Sequence, residues 1–204
     1  MEILKTKLNR NFILCSKIRR FCTTLMYLNL YNNLISSNLE YCISSWCFGN
    51  ATLINSLQRI CDKFLQMTFQ TKFSPSLEHF KKQHGVFSIN QCLLHNLVLT
   101  IHDIYFGRLV AYDPPASCTK SSRSTRSDSN FHIPSFHSLR TTQQPLSFRG
   151  IGAWNSIPDS VKFVQDSMDA ASSRTLFPRK VFSNKLKSFI LNNQMLIDIL
   201  TLIN

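Results

Sequence analysis

Cys42-x-x-x-x-Cys47 and His79-x-x-x-x-His84 are the side chains whose types and spacing most readily suggest chemistry. Two thiolates and two imidazoles could close a tetrahedral zinc site. The spacings are loose, however, no short knuckle joins the pairs, and Cys42 falls in a segment that reads as a buried helix. Core packing is therefore the better reading. Cys118, His132 and His137 form a second, weaker set in a polar segment. With seven cysteines and six histidines, a Cys/His nucleophilic dyad can be drawn from many pairs, and none has a distinguishing context. There is no Gly-rich phosphate loop, no nucleophile elbow and no pair of glutamates. Nor is there an Asp-Asp pair of the kind that holds two Mg²⁺ for nucleotidyl transfer. The closest acids, Asp166 and Asp169, sit in a Ser-containing linker. No catalytic residue, metal ligand, cofactor or small-molecule substrate is assigned.

The cations carry more. The 204 residues hold 23 Lys+Arg against 11 Asp+Glu, a formal charge of +12. Such an excess favours polyanions, nucleic acid first and an anionic membrane surface second. Lys5, Lys7, Arg10, Lys17, Arg19 and Arg20 crowd the first twenty residues against Glu2 alone, and residues 21–56 contain no Lys or Arg. The first group could track a duplex backbone through sequence-independent phosphate contacts. Arg123, Arg126 and Arg140, near Phe131 and Phe136, suit an arm that folds onto RNA or single-stranded DNA. Arg149 belongs with these positions.

Helices must position these residues. Only 5 Gly and 7 Pro argue against an all-β fold with many turns. Leu4, Leu8, Phe12, Cys15, Ile18 and Cys22 recur at three and four residues over 2–21, predicting an amphipathic helix with a cationic outer face. Thr23 or Thr24 caps a second helix reaching about Trp46, apolar nearly all round and so buried, with Gly49 and Asn50 ending it. Leu53, Leu57, Ile60, Phe64 and Met67 mark one stripe of a third. Ser74-Pro75 opens a fourth, closed by Gly85. Ser88 with Gln91 forms a capping box for a fifth through Ile104, with Gly107 beyond its end. The expected fold is all-α: a five-helix bundle over 1–110, a flexible basic arm over 111–145, a small Trp-centred subdomain over 146–191 and a tail over 192–204. A last helix over 179–191 carries Phe182, Leu186, Phe189 and Ile190. The cysteines read as reduced and core-filling, no secretory signal is expected, and no apolar run is long enough to span a membrane.

The string Phe148-Arg149-Gly150-Ile151-Gly152-Ala153-Trp154-Asn155-Ser156-Ile157-Pro158-Asp159 reads physically as a tight turn, a buried aromatic and a helix entry with Pro158 at its first position. It also resembles the Arg-Gly-x-x-x-Trp-Asn-Ser-Leu-Pro motif of non-LTR (LINE-type, jockey/CR1-like) retrotransposon reverse transcriptases. Further pieces follow in that family's order: Ile13-Leu14 with Lys17-Ile18-Arg19; Leu30-Tyr31, Leu34-Ile35, Leu39, Tyr41-Cys42, Trp46 and Gly49; Leu57-Gln58-Arg59; Thr125-Arg126-Ser127; Ile133-Pro134; and Phe182, Lys185-Leu186-Lys187, Phe189. Thr23 and Ser37 stand where relatives commonly have proline, and 165–178 is longer than usual.

The resemblance spans roughly residues 3–190 and implies the thumb and post-thumb region, which grips RNA template and DNA primer. Tyr31, Tyr41, Cys42, Trp46, Gly49, Gly150, Trp154, Asn155 and Pro158 are then structural motif positions. Polymerisation and its Mg²⁺ would belong to an upstream palm that this chain lacks, so the chain is expected not to be an enzyme. It would be a truncated, nuclear, intracellular nucleic-acid binder without membrane contact. The alternative is a stand-alone helical protein-interaction module, a domesticated or relic fragment.

Overall fold

In the computed structural model, residues 2–41, 43, 51–70, 74–105, 108, 150–163 and 177–193 are described. The protein is mainly helical, with no β-strand among the described residues, as an all-α reading requires. The chain divides into two compact units, residues 1–93 and 94–204, and the division falls inside the helix Ile89–Tyr105.

The first unit begins with α1 (Glu2–Ile18) and a 3₁₀ turn (Arg19–Phe21). Thr23 caps α2 (Thr24–Tyr31), its hydroxyl accepting the Met26 N–H at 3.3 Å. A wide π-helical turn (Asn32–Ser36) then leads into the short α3 (Ser37–Glu40). Next come α4 (Ala51–Phe69), α5 (Ser74–His84) and α6 (Ile89–Tyr105). The last of these continues into the second unit. α5 ends as its sequence predicts: Gly85 is left-handed (φ 64°), Val86 N–H reaches Lys81 O at 2.8 Å and Gly85 N–H reaches Lys82 O at 3.3 Å. The capping box of α6 is also reciprocal. Ser88 N–H donates to Gln91 Oε1 at 2.9 Å, and Gln91 N–H donates to Ser88 Oγ at 3.3 Å.

Phe64 of α4 is the hub of this unit's core. Tyr27 stacks on it at 4.7 Å, Tyr31 tilts against it at 5.5 Å, and Phe12 meets it edge-on at 6.4 Å. Leu8, Ile35, Leu57 and Leu65 are fully buried in the same unit. Burying a ring of this size contributes about 2–3 kcal/mol, which fixes which faces of α1, α2 and α4 turn inward.

Two features of the first unit differ from expectation. The helix predicted to run from Thr23 to Trp46 widens at Asn32–Ser36 and breaks at Tyr41, whose backbone is extended (φ −60°, ψ 117°). Side chains cause the widening: Asn38 Nδ2 and Asn11 Nδ2 both donate to Leu34 O, at 2.7 and 2.9 Å, and the Ser37 hydroxyl bonds Asn33 O. These bonds compete with the regular backbone ladder. The helix is also one-sided, with Tyr27, Leu28, Tyr31, Ile35 and Leu39 buried but Leu25 and Met26 exposed. In α4 the buried stripe is rotated from the predicted one toward Cys61, Leu65 and Thr68, leaving Leu53, Ile60 and Met67 half-buried.

The second unit comprises the remainder of α6 with α7 (Ile151–Asn155), α8 (Asp159–Lys162) and α9 (Arg179–Asn192). Trp154, Leu97, Val98, Phe182 and Leu186 are fully buried here. α9 follows the expectation closely, with Phe182, Leu186 and Ile190 inward and Lys185 and Lys187 exposed. The Trp motif does not. Its glycines are not a tight turn: Gly150 is helical (φ −63°), Gly152 lies within α7, and no atom comes within 4 Å of a Cβ built there. Pro158 is the N-cap of α8 rather than its first helical residue, its backbone being extended (ψ 146°).

The segment predicted as the basic arm and residues 194–204 of the predicted tail, together with Cys42, Trp46, Gly49, Gly107, Arg123, Arg126, Arg140 and Arg149, lie outside the described residues.

Candidate nucleic-acid interface

α1 presents two faces. Leu8 and Cys15 are buried, flanked by half-buried Leu4, Asn11 and Phe12. At 100° per residue, Lys7, Arg10 and Lys17 fall within one arc, Arg10 and Lys17 opposite the buried pair and Lys7 on its flank, and all three are exposed. Lys5 sits at the edge of the packed face and is half-buried, whereas Arg20 is exposed in the 3₁₀ turn. Lys7 and Lys17 lie about 15 Å apart along the helix, the length of roughly four base-pair steps. Glu2 is the only acid in this element.

Arg19 differs from its neighbours. Its Nε donates to Met67 O at 2.9 Å, and its other nitrogens reach Thr68 O at 3.4 Å and Cys22 O at 3.5 Å. The guanidinium carbon also lies 5.5 Å from the centre of the Tyr27 ring. A cation at the last carbonyls of α4 satisfies orphan acceptors and complements the helix dipole. The charge of Arg19 thus goes to capping α4, although its sequence position groups it with the exposed cations of α1.

Sequence reasoning also passed over a polar chain in the first unit. Gln58 Oε1 accepts the Ile89 N–H at 2.9 Å, and Gln58 Nε2 donates to Asp62 Oδ1 at 2.8 Å. Asp62 in turn pairs with buried Lys81 at 2.8 Å, and Glu78 meets the same ammonium at 2.7 Å. Burial pushes Lys81 down, but its bonds to Asp62 and Glu78 outweigh that and leave its pKa raised. Gln58 thus ties the start of α6 to α4, which gives the Leu57-Gln58-Arg59 string a structural purpose; Arg59 itself is exposed.

In the second unit Trp154 sits among His102, Phe182 and Lys162. The His102 ring stacks on Phe182 at 4.5 Å and tilts toward Trp154 at 6.5 Å. His102 Nε2 lies 3.0 Å from Phe177 O, so Nε2 carries the proton and donates. Desolvation lowers the pKa of His102, only partly offset by Phe177 O and Asp103. Asp103 binds Arg179 Nε at 2.9 Å and so joins α6 to α9. Lys162 is fully buried, its Nζ 5.4 Å from the centre of the Trp154 ring and 3.7 Å from Asp159 Oδ1, beyond hydrogen-bond reach. Desolvation lowers its pKa too, with Asp159 opposing. The burial of Lys162 has no signature in the sequence.

The motif positions divide in the same manner. Tyr31 and Trp154 are core residues, Asn155 is half-buried, Gly150 and Pro158 are caps, and Tyr41 is exposed. Of the zinc candidates, His79 and His84 lie on α5, where His84 stacks on Phe69 at 5.1 Å. Among the described residues no group of three or more His, Cys, Asp or Glu could hold a metal, and Cys15, Cys22 and Cys61 are free thiols. No described helix is long and apolar enough to cross a membrane.

The fold and these sites define a mainly helical protein with a cationic surface element and two polar networks inside its cores. No protein-family model, no curated protein and no solved structure matches this chain.

Proposed function

We propose that the chain is a thumb and post-thumb fragment resembling that of a non-LTR retrotransposon reverse transcriptase, and that it holds RNA–DNA template–primer without polymerising. Its first unit is the helical bundle that grips the duplex, and its second unit is the Trp-centred subdomain. The observation that carries this reading is the exposed row of Lys7, Arg10 and Lys17 on α1, a helix whose own sequence holds Glu2 as its single acid. A row of cations held by a packed helix binds phosphates without reading bases, so affinity falls steeply with salt. The ordered run of family-like strings supports the same reading.

The test is titration of a fluorescent RNA–DNA hybrid at several salt concentrations. The parent chain should bind with a steep inverse salt dependence. Lys7→Glu, Arg10→Glu and Lys17→Glu combined should flatten the logarithmic slope by roughly 2–3. Absence of binding, or binding indifferent to salt, would refute the proposal.

A further inference from the structure

Of the nine large apolar side chains exposed among the described residues, seven lie between residues 3 and 26. Ile3 and Phe21 are each 84% exposed, and Leu14 is 61% exposed. Phosphates give such side chains nothing to pack against, so the cationic row does not account for them. Their spacing is informative. Along α1, Ile3, Lys7, Arg10, Leu14 and Lys17 step by four and three residues alternately, the spacing of a seam in which one helix is laid along another, with cations at three of the positions and Phe21 following in the 3₁₀ turn. From Ile3 to Phe21 the seam is about 27 Å long.

We infer that this seam is a docking surface for an acidic amphipathic helix of a partner protein. The apolar positions give it points of contact, and the exposed cations Lys7, Arg10 and Lys17 among them select a partner of opposite charge. A bilayer fits less well. Surface-lying helices place cations on the rim and apolar residues on a separate face. Here Arg10 and Lys17 share one arc with Ile3 and Leu14, and a partner helix can set carboxylates against those cations within the contact, as an acyl layer cannot. The inference shares Lys7, Arg10 and Lys17 with the nucleic-acid reading, and what it adds is carried by the exposed Ile3, Leu14 and Phe21.

The test uses two labelled synthetic helices of about three heptads with Leu at both seam positions, one flanked by Glu and its twin by Lys. Fluorescence anisotropy should show saturable binding of the Glu helix, with the Lys twin at least about tenfold weaker. Ile3→Ser with Leu14→Ser should weaken the Glu helix about tenfold or more. The same change should leave the salt slope of RNA–DNA binding where it was, which separates this inference from the preceding one. Val181→Ser, an exposed apolar position in the second unit, is the control and should change nothing. Circular dichroism checks the fold; if the double variant loses helix, Phe21→Ser in the 3₁₀ turn takes its place. Equal binding of both helices, no saturation, or Ser variants that bind like the parent would overturn the inference. So would association with phosphatidylserine vesicles, abolished by the same Ser changes, in the absence of peptide binding.

Discussion

Lys162 is the residue whose environment is least favourable to its own chemistry. Its ammonium is buried beside Trp154, its nearest carboxylate oxygen is 3.7 Å away, and it has no hydrogen-bond partner among the described residues. The ring face and Asp159 recover part of the desolvation cost. Replacing a poorly paired buried ion by an apolar side chain of similar length removes that cost, and Asp159 is exposed enough to return to water. Lys162→Met should therefore stabilise the second unit by about 1–3 kcal/mol, read as a higher urea midpoint of Trp154 fluorescence in a Trp46→Phe background. The pH dependence follows from the lowered folded pKa. As pH rises toward the ordinary 10.5, the unfolded chain holds the proton more tightly than the folded one, so the parent gains stability with pH and the Met variant does not. A Met variant less stable than the parent, with the alkaline rise intact, would mean that Lys162 is held by more than the ring and Asp159.

Among the elements, α1 and α4 show how neighbouring cations part company. Lys7, Arg10 and Lys17 face solvent, while Arg19, one residue past the end of α1, turns back onto Met67 O and Thr68 O. Arg19→Met should cost the first unit about 1 kcal/mol, because α4 loses its C-terminal donor, yet leave the salt slope of nucleic-acid binding unchanged. Arg10→Met should do the reverse. A loss of about one unit of slope in the Arg19 variant would return that residue to the phosphate-facing group. The contrast marks where sequence stops informing. Devices closed within a few residues were legible: the Thr23 cap, the Gly85 terminus and the Ser88–Gln91 box depend only on local spacing. The inward register of α9 was legible as well, from the spacing of Phe182, Leu186 and Ile190. The π-helical turn was not, because Asn11 reaches Leu34 O across 23 residues. Neither was the rotated stripe of α4, which follows the aromatic cluster around Phe64 rather than its own periodicity. Within the candidate site, the outward direction of Lys7, Arg10 and Lys17 could be read from helical periodicity, while the fate of Arg19 depended on a carbonyl 48 residues away.

For the whole molecule, the two units carry opposite answers to pH. In the second, His102 is buried and neutral with a lowered pKa, so below the ordinary 6.5 the unfolded chain binds a proton that the folded unit resists. Stability there is complete above pH 6.5 and falls as the medium becomes more acid. In the first unit, Lys81 is charged, buried and raised in pKa by Asp62 and Glu78. Its contribution is complete below 10.5 and is lost only as pH climbs through the raised folded value. Mild acid should therefore loosen one unit and spare the other, because local stability need not be uniform along a chain. Hydrogen exchange read by mass spectrometry at pH 7.5 and 5.5, corrected for intrinsic rates, distinguishes them. At pH 5.5, peptides from α9 should lose protection while peptides from α4 keep it. His102→Gln should remove most of that acid sensitivity. A parallel loss in α4 and α9 would mean that the chain opens as one cooperative body, with the acid response lying in something other than the His102 ring stacked on Phe182.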